Sequence, residues 1–377
     1  MDMPVYFDCC ATTPIDPTVR SVFLKYIDDD FGNAGSRTHI YGLTAKTAIQ
    51  NARQQIAESL AANPEEVIFT SGATEANNLA ILGLIRALSS HKCHIIATAI
   101  EHKAVLEPVS SLLGPDVEVT FIEPSVDGRI NPLKVKEALR PDTVLVTCMH
   151  VNNETGIIQP INEIAEVLVD HPAYFHTDSA QGAGFLLSEL RNHRIDLISL
   201  SGHKIYAPKG IGCLVARRRG YRMPPIVSLQ YGGGQERNIR PGTLPVALIA
   251  AFGEAINQCR SQGDARRKQC NNLRDQVLAC FGNLDAQLIG DQYYCLPNVV
   301  SLRIPEVDSE ALMLTIKDLI AISNGSACTS TSYSPSHVLT AMGLTERVAN
   351  ECVRISWCHM SNEANWDEIY TRVNKLL

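Results

Sequence analysis

The chain has 377 residues, 45% of them hydrophobic and 19% charged, which fits one large or two ordinary globular domains and excludes disorder, collagen and coiled coil. No run approaches the roughly 20 apolar residues of a membrane-spanning helix, and Met1-Asp2-Met3-Pro4 carries no signal-peptide pattern, so a cytoplasmic protein without membrane association is expected. A net charge of −7, from 33 basic and 40 acidic residues, argues against direct nucleic-acid binding.

Gly42–Leu60 reads as an amphipathic helix, because Ala45, Ile49, Ala52, Ile56 and Leu60 recur every three or four residues. Asn63-Pro64 breaks it. Val67–Thr70 is a strand, and a helix follows from Glu75. Further strands are expected at His94–Thr98, Val117–Ile122, Thr143–Cys148, Tyr174–His176, Ile195–Leu200 and Gly212–Ala216. Helical patterns near 102–112, 132–139 and 161–169 lie between them. This alternation predicts an α/β fold with a mostly parallel sheet. The basic cluster Arg217, Arg218, Arg219 and Arg222 reads as a solvated turn. After about residue 250 the texture changes. A long polar helix over 250–281 precedes the strand Val299–Ile304, the helix Ser309–Ile316, a short strand, a loop, a helix, the strand Val353–Trp357 and a final helix. A smaller α+β domain is expected there.

Twelve cysteines is a high count. A disulfide framework does not suit a cytoplasmic chain of this size. No pair has the C-x-x-C spacing of a zinc or redox motif, so no metal site is expected. Cys148, Cys213, Cys259, Cys270, Cys280, Cys352 and Cys358 lie in strand-like or helical runs and read as small core residues.

Four segments suggest chemistry. Thr70-Ser71-Gly72-Ala73-Thr74-Glu75 ends a strand and opens a helix, so its free N–H groups form a potential phosphate cradle. Taken alone, an ordinary N-cap by Ser71 or Thr74 is the plainer explanation. In Phe175-His176-Thr177-Asp178, the Asp follows a buried strand at the sheet's carboxyl edge, where α/β ligands bind; a helix N-cap is the plainer alternative. In Ser201-Gly202-His203-Lys204, a Lys stands just past an apolar strand. Burial there would depress its pKa and make it a nucleophilic amine. Lys209, between Pro208 and Gly210, reads as a turn lysine. Finally, eight of the twelve residues in Ser323–Ser334 are Gly, Ser or Thr. That composition predicts an exposed, mobile loop, with Ser334-Pro335 capping the next helix. Cys328 at its centre is a candidate nucleophile; an incidental surface thiol is the alternative. A phosphate cradle, a strand-end Asp and a buried Lys are together the parts of a pyridoxal 5′-phosphate (PLP) site.

At this point the chain resembles the NifS/IscS-type cysteine desulfurases, within the class V aminotransferase-like PLP enzymes. The likeness runs from Phe7-Asp8-Cys9-Cys10-Ala11-Thr12-Thr13-Pro14 to Arg354. It rests on the 70–75 segment, Glu101-His102-Lys103-Ala104-Val105 and Met149-His150-Val151-Asn152-Asn153-Glu154. Ser201–Lys204, Gly232-Gly233-Gly234-Gln235-Glu236-Arg237, Arg240-Pro241-Gly242-Thr243 and the Cys328 loop complete it.

The resemblance implies a PLP-dependent transferase of fold type I. A large PLP-binding domain would span 16–255. A small domain of 1–15 and 256–377 would carry the loop 323–334. Lys204 would carry PLP, Asp178 would pair with the pyridine nitrogen, and Gln181 would contact the phenolic oxygen. His102 would stack on the ring and relay protons, and Asn153 would touch the cofactor. Ala73, Thr74, Ser201 and His203 would hold the phosphate. Thr243 would reach the phosphate of a partner subunit, which implies a homodimer. Arg354, helped by Asn33, would bind the carboxylate of L-cysteine. Cys328 would take the sulfur as a persulfide, release L-alanine and pass the sulfur to acceptor proteins.

Departures from the family pattern carry expectations of their own. Cys9-Cys10 stands where relatives have Tyr-Ser or Asn-Ala, so a packing change is expected. Pro241 replaces a frequent Ser, with a phosphate-region hydrogen bond lost. Trp357-Cys358-His359 replaces a common Leu-Gly-Arg at the pocket rim. The tail used to dock an iron–sulfur scaffold is expected to be short. The Gln235-Glu236-Arg237…Arg240-Pro241-Gly242-Thr243 and Ser323–Cys328 variants look like those of desulfurases serving DNA phosphorothioation. Sulfur donation to iron–sulfur clusters or to tRNA thiolation, selenocysteine lysis and transamination are the alternatives among PLP enzymes. A non-enzymatic sulfur-relay scaffold conflicts with the presence of Lys204, Asp178, His102 and Cys328 together. A nicotinamide dehydrogenase fails for want of a G-x-G-x-x-G after an early strand.

Overall fold

The computed structural model describes residues 3–88, 92–325 and 336–377. Its elements run in chain order as β1 (Val5–Tyr6), α1 (Pro17–Asp28), α2 (Ile40–Leu60), β2 (Val67–Thr70) and α3 (Ala73–Leu88). Then come β3 (Cys93–Thr98), α4 (Lys103–Ser111), β4 (Val117–Ile122), α5 (Pro132–Ala138), β5 (Thr143–Thr147) and α6 (Ile161–Val167). β6 (Tyr174–Asp178), β7 (Leu197–Ser201), β8 (Gly212–Ala216) and the long α7 (Val246–Gly282) follow. The chain ends with β9 (Gln287–Leu288), β10 (Val299–Arg303), α8 (Ser309–Ile316), β11 (Ile320–Ala321), α9 (His337–Ala341), α10 (Glu346–Ala349), β12 (Cys352–Ser356) and α11 (Trp366–Val373).

β2 to β8 form one seven-stranded sheet in the order β2-β8-β7-β6-β5-β3-β4. Only β8 runs against the rest, because β2 and β7 both pair with it antiparallel while the other pairings are parallel. The six co-directional strands therefore end at one edge. Strands β2, β3, β7 and β8 are buried at every position, as expected of a sheet with helices on both faces. Their Val/Ile/Leu runs made them legible in the sequence. The parallel-sheet expectation holds, with the end of β6 extended to include Asp178.

α2 packs Ala45, Ile49, Ala52, Ile56 and Leu60 inward, and ends at Ala61 in a left-handed conformation, φ 52°. α7 begins at Val246, earlier than its polar pattern suggests. Its first half buries Ile249, Phe252 and Ile256 in the sheet's core, while its second half buries Cys270, Val277 and Phe281 in another. That second core surrounds Trp357, whose Nε1 donates to Cys270 O at 2.8 Å, and it includes Phe7. β1 pairs with β11, and β9, β10 and β12 form a small antiparallel sheet. Among the described residues no helix is long and apolar enough to cross a membrane.

Two local readings need correction. The Arg217 cluster is not simply solvated: Arg217 is 2% exposed and donates to the carbonyls of Leu60, Leu190 and Asn192, while Arg219 pairs with Asp196 at 2.7 Å. These guanidiniums satisfy carbonyls at the end of α2 and in the connections beside the sheet. The N-cap of α9 is Ser336, whose Oγ accepts from Leu339 N; Ser334-Pro335 lies outside the described residues.

Candidate active site

The shared strand edge assembles the site. Thr98 ends β3 and leads into His102; β5 leads into Met149–Asn153; Asp178 ends β6; Ser201 ends β7 and leads into Lys204; Thr70 ends β2 and leads into α3. Around this edge lies a cavity of about 430 Å³. Ala73, Thr74, His102, Asn153, Asp178, Gln181, Ser201, His203, Lys204 and Arg354 all line it. So do Cys10 and Lys209; Lys209 is thus a wall residue rather than only a turn lysine.

Asp178 is 5% exposed. Its Oδ2 accepts from Asn77 Nδ2 at 2.6 Å and its Oδ1 from Ala180 N at 2.9 Å. These two N–H donors fix the orientation of the carboxylate. Across the cavity, His102 caps α4 by accepting from Ala104 N at Nδ1, 3.0 Å, which leaves the ring proton on Nε2. Desolvation in the cleft lowers its pKa, and Asp178 offsets this only in part. Lys204 donates to the carbonyls of Cys10 and Ala11. Burial lowers its pKa, so the amine loses its proton more readily than a surface lysine. Cys10 O also accepts from Gln181 Nε2 at 2.9 Å, so one carbonyl fixes two functional side chains.

The end of the cavity expected to hold a phosphate is built on backbone. The first N–H groups of α3 have no acceptor within the helix, and Gly72, Ala73 and Thr74 line the cavity there. Gly72 has φ +155°, and a Cβ on it would project to within 4.0 Å of Ser201 Oγ, into the cradle. Gly212 lets β8 approach this turn, since a Cβ on it would lie 2.7 Å from Gly72 Cα. His203 Nδ1 meets Thr12 Oγ1 at 3.2 Å, and burial with the neighbouring Lys204 and Lys209 pushes its pKa down to about 4. Glu75 also lines the cavity. Burial pushes its carboxyl up, but Arg240 at 2.8 Å and Ser71 N at 2.6 Å outweigh that and hold it below its usual pKa.

At the opposite end Arg354 is 3% exposed. It donates to Asn153 O at 2.8 Å and Asp8 Oδ1 at 2.7 Å, and its Nε has no partner. Asn33 and Thr243 are exposed and do not line this cavity. Their neighbours Ala34 and Leu244 instead line a second cavity of about 760 Å³. Cys328 lies outside the described residues. Of the departures, Trp357 is buried in the second core and none of 357–359 lines the cavity.

Sequence reasoning missed Asn77, which sits in α3 and reads as an ordinary helical amide. It also missed Glu101, a fully buried carboxyl whose Oε1 accepts from Thr98 Oγ1 and Met149 N at 2.7 Å each. The residue before the candidate ring-stacking His was the available signal.

Comparison with known proteins agrees with this architecture. The aminotransferase class-V model matches residues 5–369. The cysteine desulfurase IscS of Vibrio vulnificus strain CMCP6 is 42% identical over 386 residues, covering 100% of this chain and 94% of that one. A solved NifS-like protein superposes with a TM-score of 0.90 at 31% identity, covering 99% of both chains. The crystal structure of DndA from Streptomyces lividans superposes with a TM-score of 0.82 at 44% identity, covering 96% of this chain and 99% of that one. The chain therefore belongs to the class-V aminotransferase family, among its NifS/IscS-type, PLP-dependent cysteine desulfurases.

Proposed function

We propose that this cysteine desulfurase converts L-cysteine to L-alanine with Lys204 as the cofactor-bearing and proton-moving amine and Cys328 as the sulfur acceptor. The observation that carries the reading is the convergence of Lys204, Asp178, His102 and Arg354 on one cavity at the sheet's carboxyl edge.

The residues fit PLP. The Gly72–Thr74 cradle, with the space a Cβ at Gly72 would fill, suits a phosphate beside Ser201 and His203. Asp178, held by Asn77 and Ala180 N, suits a protonated ring nitrogen. Gln181 and Asn153 flank the ring position, and His102 covers it. When bound, PLP supplies an electron sink that makes the substrate Cα–H acidic.

Arg354 then orients the substrate carboxylate; Asn33, which does not line this cavity, is given no part in that contact. Lys204 Nζ removes the Cα proton. The Cys328 thiolate attacks the substrate sulfur: the new S–S bond forms, the Cβ–S bond breaks, and protonation at carbon yields L-alanine. Cys328 keeps a persulfide for an acceptor protein.

The same proposal includes a homodimer. Asn33 and Thr243 are exposed beside the second cavity, next to the exposed apolar side chains Phe31, Ile40, Tyr41 and Leu43, a surface suited to a second copy in which Thr243 reaches the partner's phosphate site. It also includes the division into 16–255 and a unit of 1–15 with 256–377, supported by the β1–β11 pairing and the separate core around Trp357. A cytoplasmic location and delivery of sulfur to DNA phosphorothioation complete the reading, the latter supported by the 235–243 and 323–328 motifs.

Lys204→Ala tests the assignment. The variant should remain folded, by circular dichroism, and release no L-alanine from L-cysteine. Turnover at the wild-type rate would contradict it.

A further inference from the structure

We propose that Arg240 is a positioning residue for the phosphate end of the site: it neutralises and holds Glu75, so that the Gly72–Thr74 turn can receive a doubly charged anion. The inference rests on the reading of that turn as the phosphate cradle.

Glu75 stands in the first turn of α3 and lines the cavity beside Gly72, Ala73 and Thr74. A carboxylate there uses the same helix N-terminal field that would attract a phosphate. Two anions at one helix end repel each other, so the cradle takes a phosphate well only if the resident charge is cancelled. Arg240 is placed to cancel it. Its Nε donates to Glu75 Oε1 at 2.8 Å and its Nη2 to Oε2 at 3.3 Å, a forked pairing that fixes the plane of the carboxylate. Ser71 N adds a third donor, to Oε2 at 2.6 Å. Both side chains of the pair are largely buried, at 20% and 17% exposed, so salt and water screen it less than a surface pair.

A clamped loop carries Arg240. β2 is the outer strand of the sheet and pairs, among the described residues, only with β8. Side chains of the loop 235–242 bond to its open edge. Glu236, 7% exposed, accepts from Phe69 N at 2.8 Å and from Arg53 Nη1 at 3.0 Å, and Arg237 Nη2 donates to Val67 O at 3.1 Å. Glu236, Arg237 and Asn238 hold φ angles of 45°, 58° and 63°. Non-glycine residues avoid this left-handed region, so the contacts to β2 must hold the turn in place. Gln235 Oε1 accepts from Gly242 N at 2.8 Å, which closes the loop across Arg240. The loop therefore grips the cradle from both sides: β2 before it through Glu236, and Glu75 after it through Arg240. A guanidinium presented in this way gives up less freedom on pairing than one on a loose surface arm. Arg240 acts on the cofactor only through Glu75.

The test compares the dissociation constants of PLP and of pyridoxal, which lacks the phosphate, by absorbance titration of the full chain. Arg240→Gln should weaken PLP binding by roughly tenfold or more, because an uncancelled unit charge a few ångströms away acts on that scale near a protein surface. Pyridoxal binding should not change. Arg240→Lys keeps the charge without the fork and should fall between; it carries the same comparison should the glutamine variant not fold. Combining Arg240→Gln with Glu75→Gln removes the carboxylate charge as well, keeps an acceptor for Ser71 N, and should return PLP affinity close to the wild-type value. Unchanged PLP affinity in Arg240→Gln would overturn the proposal. An equal loss for PLP and pyridoxal would overturn it too, because Arg240 would then support the cavity as a whole. So would a double variant as weak as the single one, because Arg240 would then act by a route other than Glu75. A Ser201→Ala variant that keeps the full wild-type preference for PLP over pyridoxal would instead refute the cradle reading, independently of Arg240.

Discussion

Asn77 Nδ2 donates to Asp178 Oδ2 at 2.6 Å, between side chains that are 0% and 5% exposed. Asn77 comes from α3, the helix whose first turn lines the cavity at the proposed phosphate cradle, so in the proposed site one helix supports both ends of the cofactor. Its Oδ1 is buried without a partner, which leaves the donor end as its contribution. A hydrogen bond to a buried charged group contributes about 1.5–3 kcal/mol. Asn77→Ala should therefore weaken PLP binding by roughly 10- to 100-fold, read by absorbance titration of the apoenzyme. Unchanged affinity would contradict the role given to Asp178.

Arg354 is held by Asp8 and by Asn153 O with Nε left free. A buried guanidinium fixed this way suits a planar carboxylate. Arg354→Ala should raise the KM for L-cysteine by on the order of 10²-fold, and Arg354→Lys should fall between, because a lysine lacks the fork. An unchanged KM in steady-state kinetics would place the carboxylate elsewhere.

His176 is fully buried, 2.8 Å from Thr147 Oγ1 and 3.0 Å from Ser199 Oγ, and joins β5, β6 and β7. Burial pushes its pKa down to about 4. The folded value lies below the unfolded one of about 6.5, so its stabilising contribution is present above that pH and is lost as pH falls toward about 4. The loss amounts to up to about 3 kcal/mol. Urea denaturation should show a shallower acid loss for His176→Asn than for the wild type. Equal pH slopes would contradict a neutral buried imidazole.

Glu101 has the opposite sign. Burial raises its pKa to about 8, Asp178 adds to this, and the Thr98 and Met149 donors oppose it. Its Oε2 has no partner, consistent with a neutral acid. The folded value exceeds the unfolded one, so the contribution is complete in acid and lost as pH rises toward about 8. Glu101→Gln should therefore gain stability relative to the wild type on going from about pH 6 to about pH 9. A constant difference across that range would mean that the carboxyl is already ionised.

The particular residues show what the sequence made legible. Gly212–Ala216 is read to the residue because a doubly covered strand is a continuous apolar run between turn signals. Lys204 and Asp178 stood out because polar groups just past such runs must face a ligand edge. Asn77 was invisible: an amide in a helical pattern has no periodicity that distinguishes a buried face from a wet one. Arg217 misled because charge runs are usually solvated, and only the fold reveals that the carbonyls of Leu60, Leu190 and Asn192 converge on it. The start of α7 was missed because its first turns are apolar while the long polar stretch dominated the pattern. The individual roles along the cavity came from family resemblance rather than from spacing.

The most direct test of the account is peptide mass spectrometry of the cofactor-loaded protein after incubation with L-cysteine in the absence of reductant. One added sulfur atom on the Cys328 peptide, matched by L-alanine in solution, is the result predicted. L-Alanine released with the Cys328 peptide unmodified would contradict it.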